Sequence, residues 1–214
     1  HLLEHDRDFR DLFDNRETFV DGRLAGLYGL MGSVPGTNDD RGLVRVTLPA
    51  DGPRAGLLGF AGVLALQATP VNTSPTLRGK FVRAAFLCQG IPPPPPGVDT
   101  TLPPPMPGLS TRARLEQHRS EPSCAACHAL MDPIGLGLEN FDAIGAWRAQ
   151  SQGVAIDASG ALDGVAFTDA RGLQRALKAN PRAAGCMVRQ VYRWALGHLE
   201  APQEAAALFE LEQA

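Results

Sequence analysis

Pro122-Ser123-Cys124-Ala125-Ala126-Cys127-His128 sets two thiols three positions apart, with an imidazole directly behind the second. On one turn of helix the three side chains share a face, so each thiol can form a thioether with a haem vinyl group while the imidazole points at the iron. This is the attachment pattern of c-type haem. It predicts one haem c per chain, held by Cys124 and Cys127 with His128 on the iron. Other uses of the pair fit less well. A structural zinc site asks for further ligands, commonly a second Cys-x-x-Cys, whereas Cys88 and Cys186 stand alone. A thioredoxin-like pair asks for a preceding strand, and the residues there are His118-Arg119-Ser120-Glu121-Pro122-Ser123.

Working outward, residues 92–107 read PPPPPGVDTTLPPPMP, a run that favours polyproline II and donates few ladder hydrogen bonds. It divides the chain into an N-terminal piece (1–90), a strap (91–109) and a haem domain (110–214). Ile91, Val98, Leu102 and Met106 offer apolar groups that would dock the strap on the surface. The expected fold is mainly α: an N-terminal helical piece with a short strand, the proline-rich strap, and a C-terminal cytochrome c-like haem domain with a small β-hairpin.

The periodicities give the elements. Phe9, Leu12 and Phe13, then Phe19, Val20, Leu24, Leu27 and Tyr28, recur at helical spacing and predict two amphipathic helices, the second ended by Gly29 and Gly32. Leu43 to Leu48 alternates as a strand, and Leu57 to Leu66 reads as a buried helix. Ser74-Pro75 opens a helix that closes at Gly90. Ser110 or Thr111 caps a short helix through His118. Leu138, Phe141, Ile144 and Trp147 again fall at helical spacing, Val154 to Phe167 reads as a hairpin, and Asp169 to Leu177 as helix. Pro181 opens the last long helix, with Gly197 near its end, and Glu204 to Glu212 forms another.

Composition narrows the classes further. With 214 residues, 44% hydrophobic and 20% charged, the chain can build a substantial core, which excludes a disordered tail. A formal charge of −3 gives no reason to expect nucleic acid or an anionic membrane surface. The longest apolar stretch, residues 55–68, is broken by Gly56, Gly59, Gly62 and Gln67. It falls short of the roughly 20 residues of a bilayer crossing, so no membrane span is expected. His1-Leu2-Leu3-Glu4 shows neither an initiator Met nor a leader, which suggests a processed or excised piece.

Several longer motifs run through the chain in order: Leu24-Ala25-Gly26-Leu27-Tyr28-Gly29, Ser74-Pro75-Thr76-Leu77-Arg78-Gly79-Lys80-Phe81-Val82, Ile91 with its five prolines, and Leu115-Glu116-Gln117-His118-Arg119. After the Cys124 motif come Met131-Asp132-Pro133-Ile134-Gly135, Leu138-Glu139-Asn140-Phe141-Asp142-Ala143-Ile144-Gly145, and Tyr192-Arg193-Trp194-Ala195-Leu196-Gly197. Together they resemble the secreted planctomycete and myxobacterial multidomain c-type cytochromes built from consecutive domains of unknown function. The resemblance implies that this chain is the C-terminal portion of such a protein. It also implies a His-Arg pair in the segment that holds His118 and Arg119.

The second axial position decides between an electron relay and a catalyst. His118, ten residues before His128, has enough chain to reach round the haem edge, and imidazole is a strong-field ligand. Met187 on the last long helix is the alternative, with Met106, His198 or a vacant position after it. Met131 is expected to pack against the porphyrin, and the Pro133 carbonyl to accept from the outer nitrogen of His128. Trp147 and Arg148 are expected at the propionates, although Trp147 also suits plain core packing.

The expected function is periplasmic or secreted electron transfer, with a redox protein or neighbouring cytochrome as partner, within a larger complex in one reading. The alternatives are a haem-dependent peroxidase- or oxygenase-like enzyme with an open distal site, helped by Arg78, Arg119 and Glu139, and a docking subunit of a redox assembly. In an oxidising compartment Cys88 and Cys186, left over by the haem, would pair with each other or stay as two buried thiols.

Overall fold

The computed structural model describes residues 3–32, 42–70, 72–94, 96–97, 104–120 and 122–213. Asp8 caps a 3₁₀ turn over Phe9–Phe13 by accepting from the Arg10 amide at 2.9 Å. Strand β1 (Glu17–Val20) follows, then α1 (Gly22–Leu27) and β2 (Val44–Thr47). The strands are antiparallel, with Glu17 opposite Thr47 and Val20 opposite Val44. Phe19 and Val20 therefore belong to a strand and not to the second amphipathic helix. Thr18 and Val20 point inward and Phe19 outward, the two-residue alternation of a half-buried strand. Asp21 starts the helix after them by accepting from the Leu24 amide at 2.8 Å.

Helix α2 (Ala61–Leu66) is separated from a 3₁₀ turn at Leu57–Gly59 by an extended Phe60. The continuous helix expected over 57–66 is interrupted because the Arg54 guanidinium takes the Gly59 carbonyl, which an unbroken helix would need. Helix α3 (Pro75–Phe86) starts where Ser74 and Pro75 place it, with the Ser74 hydroxyl accepting from the Leu77 amide at 3.3 Å. Ser110 caps α4 (Thr111–His118) in the same way, accepting from the Ala113 amide at 3.1 Å. Helix α5 (Pro122–Leu136) carries the cysteine motif.

Residues 138–147 do not form the expected helix. They turn back on themselves so that Phe141 and Trp147 pair as a bridge, and the Asp142 carboxylate accepts from the amides of Ile144 and Ala146 at 3.0 and 2.8 Å. Where one hairpin was expected there are two, β3 (Gln150–Ser151) with β4 (Val154–Ala155), and β5 (Gly160–Leu162) with β6 (Val165–Phe167). Helices α6 (Ala170–Ala179), α7 (Pro181–Leu196) and α8 (Ala205–Gln213) complete a mainly helical chain. Gly197 ends α7 in the left-handed region, φ 73°, as its position in the sequence requires.

One core draws on both sides of the proline run: Phe13, Leu58, Val82 and Phe86 meet Ile134, Phe141, Leu162, Leu173 and Leu177. The strap divides the chain but not this core. A smaller cluster, Val20, Ala25, Leu30, Val46 and Leu48, closes the strand pair. At the heart of the molecule α3 lies against α5 at backbone contact. A Cβ on Gly79 would fall on the Met131 carbonyl, and one on Gly135 would fall on the Pro75 carbonyl. Pro92 to Pro94 and Pro104 are exposed and Met106 is 54% exposed, while Val98 and Leu102 lie outside the described residues. Cys88, just past α3, forms a disulfide with Cys186 of α7 across a sequence separation of 98, with Cα atoms 5.3 Å apart. No helix among the described residues is long and apolar enough to cross a membrane.

Candidate functional site

Helix α5 places Cys124, Cys127 and His128 at positions i, i+3 and i+4, so they share one face. Cys124 is buried, Cys127 half-buried, and the His128 side chain 14% exposed. One turn further on, Asp132 is fully buried, and its two carboxylate oxygens lie 3.1 and 3.0 Å from His128 Nδ1. The close crossing of α3 and α5 brings in the Thr76 hydroxyl, which donates to Asp132 Oδ1 at 2.9 Å. An ionised carboxylate only accepts, so this pairing selects the Nδ1–H tautomer and leaves the lone pair on Nε2. His118, the last residue of α4, brings its ring edge-on to that of His128, with centroids 4.8 Å apart and planes at 66°.

A donor set of two thiols, one imidazole with its outer nitrogen fixed, and a second imidazole beside it suits a covalently held haem. Two orphaned polar atoms agree with it. The Nε atoms of Arg114 and Arg119, one on α4 and one at its end, are buried without a hydrogen-bond partner, and a haem propionate would supply an acceptor. Among the described residues no cluster of three or more His, Cys, Asp or Glu is arranged to hold a bare metal ion. A haem iron asks less of the protein, because the porphyrin supplies its equatorial ligands.

The remaining expected residues take other places. The outer nitrogen of His128 meets Asp132, not the Pro133 carbonyl, which faces Gly160 of β5. Met131 is buried, with its carbonyl against Gly79 of α3. Trp147 is half exposed. Arg148 donates to Glu139 Oε1 at 2.9 Å and to Thr73 Oγ1 at 3.3 Å, with Glu139 almost fully buried. Arg78 gives its donors to the carbonyls of Leu138, Phe141 and Asp142 at 2.7 to 2.8 Å, and burial pushes its guanidinium down to about 10. Neither Arg78 nor Glu139 is thereby placed as a catalytic helper.

Among the described residues, none of the other distal candidates makes a hydrogen bond or ring contact with His128. Met187 lines an apolar groove of about 820 Å³ with Phe9, Leu12, Phe19, Val191 and Leu196, and no residue of α5 borders it. Met106 is exposed, and His198 Nδ1 lies 2.8 Å from the Leu199 carbonyl beyond the end of α7. Asp132 is the residue at the candidate site that the sequence reading did not single out, and its signal was a His and an Asp four apart on one helix.

These features define a mainly helical protein whose cysteine–histidine helix is braced by a buried carboxylate. Residues 54–151 match the family model described as PSCyt3, protein of unknown function (DUF1588). The matched segment runs from before α2 to the end of β3 and holds Thr76, His118, Cys124, Cys127, His128 and Asp132. No curated protein and no solved structure matches the chain.

Proposed function

We propose that this chain is a monohaem c-type cytochrome that relays single electrons, with haem on Cys124 and Cys127 and with His128 and His118 as its axial ligands. The two thiols and the His128 imidazole on one face of α5 are the observation that carries the reading, and the His118 ring beside His128 makes it the nearest candidate for the second position on the iron. A bound haem supplies one-electron iron chemistry. Around it the chain would hold rather than react: the thiols of Cys124 and Cys127 would anchor it, Nε2 of His128 would bind the iron, and the buried Nε atoms of Arg114 and Arg119 would be donors for its propionates. With His118 as the second ligand no position would be left open for a substrate, which favours relay over turnover. Covalent haem attachment and the Cys88–Cys186 disulfide both suit a periplasmic or secreted protein. The longer sequence motifs support its being the C-terminal portion of a multidomain cytochrome with a redox protein as partner.

The test is expression with a haem-maturation system in an oxidising compartment, followed by intact mass and absorption spectra. The expected product carries one haem after denaturation and is low-spin. His118→Ala should turn it high-spin and open it to cyanide, while Met187→Ala stays low-spin. The reverse pattern would move the ligand to Met187, and a high-spin parent that binds cyanide would assign the open-site enzyme. Denatured protein without added haem mass would end the reading.

A further inference from the structure

Asp132 is a carboxylate with 0% exposure, and a buried charge persists only where something compensates it. Its partners among the described residues are the Thr76 hydroxyl at 2.9 Å and His128 Nδ1 at 3.0 and 3.1 Å; no lysine or arginine pairs with it there. Both oxygens lie within reach of the same ring nitrogen, so the negative charge is directed at the imidazole. Helix geometry fixes the approach, because His128 and Asp132 are four residues apart on α5. The α3–α5 crossing fixes the carboxylate in turn through Thr76.

We propose that Asp132 is a positioning residue that loads negative charge onto His128 and so lowers the reduction potential of the iron this histidine holds. The proposal rests on His128 being an iron ligand, as argued above. A carboxylate bound to the outer nitrogen of a ligating imidazole makes that ring a stronger electron donor. Ferric iron carries one more positive charge than ferrous, so extra negative charge in a buried setting favours the ferric state more. A neutral carbonyl acceptor, the arrangement expected from Pro133, orients the ring without adding charge. Asp132 does both, and Thr76 moderates it by drawing part of the charge density into its own hydrogen bond.

Potentiometric titration of the haem-loaded chain separates the two roles. Parent and Asp132→Asn are first checked for one covalent haem and an unchanged spin state; a parent without haem refutes the cytochrome reading itself, whatever the variant does. Asparagine keeps the shape and an acceptor oxygen but not the charge. The expected result is a midpoint shifted upward in Asp132→Asn with the spectrum retained. An unchanged or lowered midpoint overturns the proposal and leaves Asp132 a purely orienting residue. Thr76→Val provides an independent reading, which decides alone if Asp132→Asn fails to accumulate: freeing the carboxylate of its second donor should shift the midpoint downward, and no shift or a rise would overturn the proposal.

Discussion

Arg78 shows what single residues do in this protein. It is 1% exposed, and three carbonyls of the 138–142 turn receive its guanidinium, so a cation from α3 substitutes for the helix hydrogen bonds that turn does not make. Arg78→Ala would strip the Phe141 carbonyl of its donor and leave the Leu138 and Asp142 carbonyls only the amides of Phe141 and Gly145, at a cost on the order of 3 kcal/mol. Arg78→Lys should recover only part, because one ammonium cannot match the fork. Urea denaturation of the three proteins measures both. At this scale the spacing of Cys124, Cys127 and His128 announced a shared helix face, and α5 places the three side chains there, with the His118 ring beside His128. The Arg148–Glu139 pair was not legible, because it spans a turn that no local pattern announces. Asp132 was hidden beside Pro133, whose rigidity drew attention to its carbonyl instead.

Among the elements, those with a cap written into the chain were readable. Ser74, Ser110, Asp169 and Asn180 each accept from an amide two or three residues ahead, and α3, α4, α6 and α7 begin where they stand. The elements that escaped are set by partners far along the chain: β1 by β2, and the 138–147 turn by Arg78. The α3–α5 crossing belongs to the second kind, since only Gly79 and Gly135 hint at it. Gly135→Ala should drive the helices apart, break the Thr76–Asp132 hydrogen bond and destabilise the chain by roughly 3 kcal/mol. Gly62→Ala is the matched control. It sits exposed in α2 with open space where its Cβ would go, so it should be neutral or stabilise by about 0.5–1 kcal/mol. Thermal melts of the two variants should therefore move in opposite directions or, at the least, differ by several degrees.

For the whole molecule, the question is whether the proline run separates two folding units. The shared core argues that it does not, because Val82 and Phe86 on one side and Ile134, Leu173 and Leu177 on the other exclude water only together. The segment 54–151 that matches the family model holds the site residues, yet Phe13, Leu162, Leu173 and Leu177 of that core lie outside it. The disulfide makes the same connection covalently, joining Cys88 within the segment to Cys186 beyond it. Closing so long a loop restricts the unfolded chain, and the loop-entropy model puts the stabilisation at about 4.7 kcal/mol. Replacing both cysteines by alanine should lower the denaturation midpoint by that order and keep one cooperative transition, since the core that couples the two sides remains. Two resolved transitions in the double variant would instead show that the pieces fold separately and that the disulfide alone couples them. If haem is attached as proposed, the parent denatured without reductant should titrate with no accessible thiol, because two cysteines would be held by the haem and two are held by each other.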